Sequence, residues 1–341
     1  MVSFESDYTT GAHPEILKRL SETNLECLPG YGTDRYCESA GEKIRLACGC
    51  PDADVEFLLG GTQTNAITID AMLRDYEGVI AAETGHISTH EAGAIEHAGR
   101  KVLTLEGSSG KVLPKVLQDY LDTFYADDNH EHMVFPGMVY ISHPTEYGTL
   151  YSKQELEELA EICHSNDMVL YMDGARLAYG LMSRQTDVTL EDIARCCDAF
   201  YIGGTKCGAL CGEALVFCGS RRPAHFMNFK KKRGALLAKG RVTGVQFDTL
   251  FTDDLYYRIG SHAIDAAEQM KDIFRRHGYE FYLDSPTNQQ FIILNDEQLQ
   301  TLRETTAFSF WEKLPDGRTV VRFATSWSTT EADLKALEEV L

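Results

Sequence analysis

The sequence predicts an α/β fold: a large domain with a mostly parallel sheet between helices, followed by a smaller α+β domain. Short apolar runs alternate with helical patterns from residue 55 to residue 219, and this alternation is typical of βαβ units. After about residue 245 the pattern changes to a long helix and a succession of strands. A chain of 341 residues is long enough for both domains.

The chain divides into three predicted parts. An N-terminal segment covers residues 1–28, the large domain covers 29–245 and the small domain covers 246–341. The segment is expected to contain an amphipathic helix over 14–28, because its apolar residues recur at helical spacing. We expect this segment to join the small domain.

Within the large domain, a Gly- and Pro-containing loop over 29–36 leads into alternating helices and strands. The predicted strands are apolar runs bounded by turn residues: 55–61, 78–83, 101–107, 132–144, 168–175, 198–206 and 211–219. The predicted helices between them are 37–48, 62–76, 88–99, 111–125, 152–167 and 189–197. In such parallel sheets, ligands bind beyond the carboxyl ends of the strands.

The small domain begins with a long predicted helix over 253–278. Four strands of an antiparallel sheet follow, at 279–285, 289–295, 308–314 and 318–326. A closing helix over 330–341 starts with a threonine in the N-cap position.

Charge and composition exclude several classes of function. The net charge is −20, so nucleic acid and anionic membranes are poor partners. No apolar run approaches the ~20 residues of a membrane span, and the N-terminus lacks the features of a signal peptide. The ten cysteines show no spacing typical of a metal site or disulfide framework, which indicates free cysteines in a reduced compartment. We therefore expect a cytoplasmic protein without a bound metal.

Several polar residues follow the predicted strands, where a ligand of a parallel sheet would bind. They are Gly61, Thr62, Gln63, His86, Thr145, Asp173 and Lys206. Each alone has an ordinary interpretation, such as a turn, a helix cap or a surface residue. Their common position at the ends of strands favours a shared site.

Lys206 and Asp173 together indicate pyridoxal phosphate chemistry. A desolvated lysine among glycines, as in GGTKCG, can form a Schiff base, although an exposed turn is the alternative. An aspartate at the end of a core strand suits the pyridine nitrogen of this cofactor, although a helix cap is the alternative. Arg176, three residues after Asp173, would hold an anionic group of cofactor or substrate.

The run LLGGTQTN places Gly61, Thr62 and Gln63 at a junction of strand and helix, where free backbone N–H groups bind phosphate. His86 follows the next strand and could stack on a cofactor ring. Both signals are weak alone, since most Gly-Gly pairs are simple turns.

Several motifs occur in the order found in a known family: SD near the start, YG.D at 31–34, GGTQTN, GHI…EAGA, DGAR, the lysine of GGTKCG, and RFATS. Together they resemble the low-specificity threonine aldolase family, in the β-eliminating lyase group of fold-type I pyridoxal phosphate enzymes. The resemblance covers nearly the whole chain. It implies Lys206 as the Schiff-base lysine, Asp173 as the partner of the pyridine nitrogen with Arg176 beside it, His86 as the stacking residue, and residues 61–63 as the phosphate loop.

The resemblance also implies a site shared between subunits. Arg241 matches an arginine that reaches the phosphate from the same or a neighbouring subunit. Ser6 and Arg322 match groups that hold the substrate carboxylate, and Tyr31 and Asp34 match a loop at the subunit boundary. Such enzymes are dimers or tetramers, so we expect a homodimer or homotetramer.

The implied reaction is cleavage of a β-hydroxy-α-amino acid, such as threonine, allo-threonine or phenylserine, to glycine and an aldehyde. The chain has SHPTEY at 142–147 where the family commonly has ENTHN. This places Thr145 where the family usually has a histidine that faces the substrate hydroxyl, and His143 lies two residues earlier. Because Thr145 is a poor base, the remaining candidates for the catalytic base are His86 and a water molecule. The alternatives are a β-eliminating amino-acid lyase with the same cofactor, and a non-catalytic binding protein on the same scaffold.

Overall fold

The computed structural model describes residues 1–219 and 221–341. Its strands form a seven-stranded sheet, a four-stranded sheet and a two-stranded pair. The strands are β1 Val2–Ser3, β2 Asp54–Leu58, β3 Glu77–Ala82, β4 Lys101–Leu105, β5 Phe135–Ser142, β6 Val169–Asp173, β7 Ala199–Gly203, β8 Glu213–Phe217, β9 Glu280–Leu283, β10 Gln289–Leu294, β11 Thr306–Ala307, β12 Ser309–Lys313 and β13 Thr319–Ala324.

The helices include one long element, α12, and several short ones. They are α1 Pro14–Thr23, α2 Arg35–Ala47, α3 Gly61–Met72, α4 His86–Thr89, α5 Ala94–His97, α6 Pro114–Ala126, α7 Lys153–Ser165, α8 Leu177–Leu181, α9 Leu190–Cys196, α10 Phe226–Lys232, α11 Arg241–Leu250, α12 Leu255–Arg276, α13 Asp296–Arg303 and α14 Glu331–Glu338, with a 3₁₀ turn at His130–His132. Among these described helices, none combines the length and apolar character that crossing a membrane requires.

The large sheet has the order β2-β8-β7-β6-β5-β3-β4. All neighbours are parallel except β8, which runs antiparallel to both β2 and β7. The predicted mostly parallel sheet is therefore confirmed. Because β8 runs the other way, its first residues lie at the same edge as the last residues of the other strands.

Helices cover the large sheet on both faces. Successive strand residues point to opposite faces, so Val139 packs in one core with α2, α6, α7 and α9, whereas Met138 packs in a second core with α3 and α10. Strands buried on both faces explain why the sequence shows continuous apolar runs instead of alternation.

The small sheet has the order β12-β13-β10-β9 and is antiparallel throughout, as predicted. The N-terminal strand β1 pairs with β11 of this smaller unit, whereas α1 of the same predicted segment packs against α11 and the core of the large sheet. The expected boundary between residues 245 and 246 falls inside α11, which packs against α2 and α1 of the large unit.

Several predicted helices are shorter than expected. The helix predicted over 88–99 is two short helices, because Ala92 and Gly93 both adopt positive φ angles (51° and 73°) that end a right-handed helix. Helix α1 ends at Thr23 instead of residue 28. The N-caps read from the sequence are present: Ser152 and Thr330 each form a capping box at the start of α7 and α14.

Candidate active site

A cavity of about 360 Å³ opens at the carboxyl edge of the large sheet. The ends of β2, β3, β5, β6 and β7 and the start of β8 all contribute to it. It therefore lies where ligands bind in open α/β sheets. Its polar lining comprises Tyr8, Thr62, His86, His90, Ser142, Thr145, Glu146, Asp173, Arg176, Tyr201, Thr205, Lys206 and Glu213.

Lys206 lies in this cavity just after β7. Its Nζ is 5.9 Å from the ring centre of Tyr8. Burial lowers the pKa of the Lys206 amine below its usual value, and the charge of Arg176 acts in the same direction. A lowered pKa leaves a larger fraction of the amine unprotonated, which is the form that attacks a carbonyl carbon.

Asp173 ends β6 and is buried. Its carboxylate accepts hydrogen bonds from Tyr140 Oη (2.7 Å), Asn65 Nδ2 (3.0 Å), Tyr201 Oη and the backbone N–H of Ala175 (3.0 Å). Burial alone would raise the pKa of Asp173, but His86 and these hydrogen bonds lower it below its usual value. The strand therefore ends in a carboxylate that stays ionised while buried. A helix cap alone would not need so many hydrogen-bond donors around it.

His86 begins α4 and is linked to a carboxylate that the sequence analysis did not identify. Its Nδ1 lies 2.7 Å from Glu91 Oε1. The same oxygen accepts a hydrogen bond of 2.7 Å from Asn65 Nδ2, so Asn65 bridges Glu91 and Asp173. Burial would lower the pKa of His86, but the bond to Glu91 and the charge of Asp173 raise it. His90 stacks on His86 with ring centres 5.7 Å apart.

The N-terminus of α3 faces the same cavity through Gly60, Gly61 and Thr62. The first intrahelical bond runs from Thr64 N–H to Gly60 O. The backbone N–H groups of residues 61–63 therefore have no acceptor within the helix and can bind an anion. A Cβ atom on Gly61 would lie 2.9 Å from Tyr201 Oη, so glycine is needed for this approach. The side chain of Gln63 bonds instead to the backbone N–H of Leu59.

Arg176 is paired with Asp7, near the N-terminus. Arg176 Nε donates to Asp7 Oδ2 at 2.6 Å and Nη2 donates to Oδ1 at 3.1 Å, while Asn288 also donates to Oδ2 at 2.9 Å. This two-point pairing explains how an arginine can lie close to a buried strand end. The SD motif supplies this partner, and Ser6 next to it is buried with no hydrogen-bond partner for Oγ in the described residues.

A second cavity of about 600 Å³ continues outward from the first and reaches the small sheet. Arg322 of β13 lines it together with Arg176 and Lys206. Burial and the charge of Arg176 lower the pKa of Arg322 to about 10. In the described part of the chain, Arg322 has no ion-pair partner, and it bonds to Gln289, Ser309 and the Glu5 carbonyl. An anionic ligand here would complement both guanidinium groups.

Four of the predicted site residues line neither of these two cavities: Ser6, Gln63, Tyr31 and Arg241. The guanidinium group of Arg241 donates to the backbone carbonyls of Glu26, at 2.8 Å, and Thr23. Tyr31 is half-exposed and lines a separate cavity of about 390 Å³ with Asp34, the N-cap of α2. The contribution of Tyr31 and Arg241 to a site in a neighbouring subunit stays a prediction.

The loop after β5 places Thr145 at the site, as the sequence suggested, and adds Glu146, which the sequence analysis did not identify. Thr145 lines the cavity, but its hydroxyl shares a hydrogen bond of 2.7 Å with Thr149. His143 is fully buried, accepts from the Tyr151 N–H and has its pKa lowered to about 4 by burial, so it is neutral and does not line the cavity. Glu146, the next residue after Thr145, lines both cavities.

Glu213 is a further carboxyl group that the sequence analysis missed. It accepts from Thr205 Oγ1 at 2.8 Å and from the Gly204 N–H at 3.0 Å. Burial raises its pKa to about 8. Since Glu213 begins an antiparallel strand, a search at the ends of strands overlooks it; a charged residue within the apolar run CGEALVF was the available signal.

Comparisons with known proteins agree on the architecture and the family. The model of the family described as beta-eliminating lyase matches residues 3–296. The structure of threonine aldolase from Leishmania major is 41% identical, with a TM-score of 0.95 and coverage of 100% of this chain and 98% of that one. A low specificity L-threonine aldolase from Pseudomonas sp. (strain NCIMB 10558) is 28% identical over 340 residues, covering 98% of this chain and 95% of the relative.

A more distant likeness extends to an aspartate aminotransferase double mutant from Thermus thermophilus, with 16% identity, a TM-score of 0.71 and coverage of 100% of this chain and 92% of that one. Fold and site thus define an α/β enzyme of fold type I, as predicted. The chain belongs to the beta-eliminating lyase family, and the resemblance to its threonine aldolases is confirmed.

Proposed function

We propose that this protein is a pyridoxal phosphate-dependent aldolase that cleaves β-hydroxy-α-amino acids to glycine and an aldehyde. The observation that carries the proposal is one cavity that contains Lys206, Asp173, His86 and the N-terminus of α3. The threonine aldolase names of the relatives support the same activity.

The residues that line the inner cavity offer the groups that pyridoxal phosphate requires. Free N–H groups of residues 61–63 would hold the phosphate, and the ionised carboxylate of Asp173 would face the pyridine nitrogen. His86 would stack on the ring, and Lys206 would provide the amine. When bound, pyridoxal phosphate supplies the carbonyl that reacts with an amine and the electron sink for bond cleavage.

The residues of this chain bind and orient the amino acid. Arg176 and Arg322 line the outer cavity, and their positive charges would hold the substrate carboxylate. With the amine directed toward Lys206, the β-carbon would lie between the two cavities. Ser6 and Tyr31 are further candidates for substrate contacts, the latter from a neighbouring subunit.

We also propose a homodimer or homotetramer with shared sites in the cytoplasm. The location of Tyr31 and Arg241 away from the cavity of their own chain supports sharing, because the family resemblance assigns both residues to the site. Analytical ultracentrifugation gives the assembly, and an Arg241→Ala subunit mixed with a Lys206→Ala subunit should recover part of the activity if sites are shared.

The activity is tested by incubating the purified enzyme with L-threonine, L-allo-threonine and phenylserine, and in parallel with serine and cysteine. Glycine and an aldehyde are the expected products from the first group. Pyruvate and ammonia from the second group, without aldehyde from the first, would instead establish the β-eliminating alternative that the family description permits.

A further inference from the structure

The inner and outer cavities meet at a narrow set of residues. Those that line both are Tyr8, His86, His90, Glu146, Arg176 and Lys206. Lys206 and Arg176 both line the two cavities, so a substrate oriented with its amine at Lys206 and its carboxylate at Arg176 would have its β-carbon near this junction. A group that removes the β-hydroxyl proton must therefore come from these residues or from water.

We propose that Glu146 is the catalytic base that accepts the proton of the substrate β-hydroxyl group. This inference rests on the proposed aldolase function and deepens it, because neither Thr145 nor His143 is available as a base.

The hydrogen bonds of Glu146 position one carboxyl oxygen and leave the other free. Oε1 accepts from Ser142 Oγ at 2.7 Å and from the His86 backbone N–H at 3.0 Å. Oε2 is buried and has no hydrogen-bond partner in the described residues. A buried carboxylate oxygen without a donor is costly, and a substrate hydroxyl group would supply the donor.

The surroundings of Glu146 make it a stronger base than an ordinary glutamate. Burial raises the pKa of its carboxyl group, and the negative charge of Asp173 acts in the same direction, against the bond from Ser142 and the charge of His86. The other charged or titratable groups at the junction and behind it are Tyr8, His90, Arg176, Lys206 and Tyr140. A base is most effective when its pKa approaches the working pH.

The other residues at the junction are weaker candidates. His86 Nδ1 faces Glu91, and the raised pKa of His86 favours the protonated ring. His90 has a lowered pKa because of burial and the charge of His86, and its Nδ1 bonds to Thr89 Oγ1 at 2.6 Å. In the described part of the chain His90 Nε2 has no hydrogen-bond partner, so His90 is the competitor that the experiment must exclude.

The proton and electron balance of the step is simple. The hydroxyl O–H bond breaks and its proton moves to Glu146 Oε2, while its electron pair forms the second bond of the aldehyde carbonyl. The Cα–Cβ bond breaks, and its electron pair stays with the glycine half. Cα then takes up one proton, so no oxidant or reductant is required.

The test compares Glu146→Gln with Glu146→Asp and His90→Gln in the complete enzyme with its cofactor. Glutamine keeps an oxygen that accepts from Ser142 and His86, so the loop should keep its structure, but it cannot take a proton. Glu83→Gln is the matched control, since Glu83 is an exposed carboxylate at the end of β3, outside both cavities.

Two reactions are measured for each variant: cleavage of L-threonine, and exchange of a glycine α-proton with D₂O, which needs no hydroxyl base. We expect Glu146→Gln to lower kcat for cleavage by about 10²–10⁴-fold while exchange and glycine affinity change less than threefold, as a rough limit. Glu146→Asp should recover part of the loss. In wild type the acidic limb of the kcat profile should report the carboxylate, and that limb should disappear in Glu146→Gln.

A second measurement does not depend on turnover. In cofactor-free protein, infrared difference spectra between acidic and neutral pH should contain a carboxylic acid band that titrates above the ordinary glutamate range. Glu213, whose pKa is also raised by burial, contributes a second such band in every variant. The component that belongs to Glu146 should be lost in Glu146→Gln and kept in Glu83→Gln.

The outcomes separate the inference from the proposed function. Near-normal cleavage by Glu146→Gln, or selective loss of cleavage in His90→Gln alone, overturns the role of Glu146 but leaves the aldolase proposal intact. Equal loss of cleavage and glycine exchange in Glu146→Gln would make Glu146 a structural residue and also overturn the inference. Wild-type enzyme that neither cleaves threonine nor exchanges glycine overturns the proposed function itself.

Discussion

His86 and Glu91 form a hydrogen-bonded pair, with 2.7 Å between His86 Nδ1 and Glu91 Oε1, in which Glu91 is buried and His86 is partly exposed. The pair continues through Asn65 to Asp173, so the proposed stacking residue and the proposed partner of the pyridine nitrogen belong to one network. Glu91 is buried and Asp173 is buried, and Asn65 donates to both. The charge on each member therefore depends on the others.

Replacing Glu91 with glutamine should lower the pKa of His86. The hydrogen bond and charge of Glu91 raise this pKa in the native protein, whereas burial opposes it. NMR titration of His86 in cofactor-free protein measures the change, with Glu96→Gln, at an exposed site on α5, as the control. An unchanged His86 titration would show that Glu91 does not govern the protonation state.

The same variant has a predictable effect on stability. A group whose folded-state pKa is raised stabilises the protein below its unfolded-state pKa, and that contribution is lost as pH rises through the folded-state value. Glu91→Gln should therefore lose more unfolding free energy at mildly acidic pH than at alkaline pH. Urea unfolding at several pH values measures the difference, and a pH-independent loss would contradict the assignment.

Asp173→Asn should lower turnover by several orders of magnitude with a smaller effect on substrate affinity. The substitution removes the buried negative charge that would keep the pyridine nitrogen protonated, and such preorganised electrostatic effects are worth about 3–4 kcal/mol. Steady-state kinetics of the variant and of Asp128→Asn, at an exposed site, measure the change. An unchanged rate would mean that Asp173 is structural.

Lys206→Ala should abolish the yellow colour of a lysine-linked cofactor and nearly all turnover, because the described residues that line the cavity include no other lysine. The visible spectrum after dialysis and the rate of threonine cleavage are the two readouts. Lys115→Ala, whose side chain is 81% exposed on α6, is the control. A purified Lys206→Ala protein that keeps its activity would disprove the mechanism.

Gly61→Ala should weaken cofactor binding more than Gly60→Ala does. A Cβ on Gly61 would lie 2.9 Å from Tyr201 Oη, which also donates to Asp173, whereas a Cβ on Gly60 meets no atom within 4 Å. Gly60 also has an extended backbone (φ −165°) that alanine adopts readily. Fluorescence titration of cofactor-free protein gives both dissociation constants, and equal values would contradict the steric argument.

The sequence by itself determined the alternation of strands and helices and the residues that end each strand. Local periodicity and turn residues specify these features, because the side-chain periods of helices and strands differ. Lys206, Asp173, His86 and the start of α3 were found in this way, since residues at the carboxyl ends of parallel strands meet at one edge. The resemblance to the threonine aldolase family then implied a role for each of these residues.

Only the tertiary structure decided how these residues are held. Arg176 binds Asp7 across 169 positions of the chain, and Asn65 reaches Asp173 across 108; no local pattern predicts either pair. The antiparallel direction of β8 brings Glu213 to the site from the start of a strand. The loop after β5 directs Glu146 to both cavities while Thr145 bonds within its turn. Such choices depend on strand order and on the space that neighbouring elements leave, which a one-dimensional pattern does not contain.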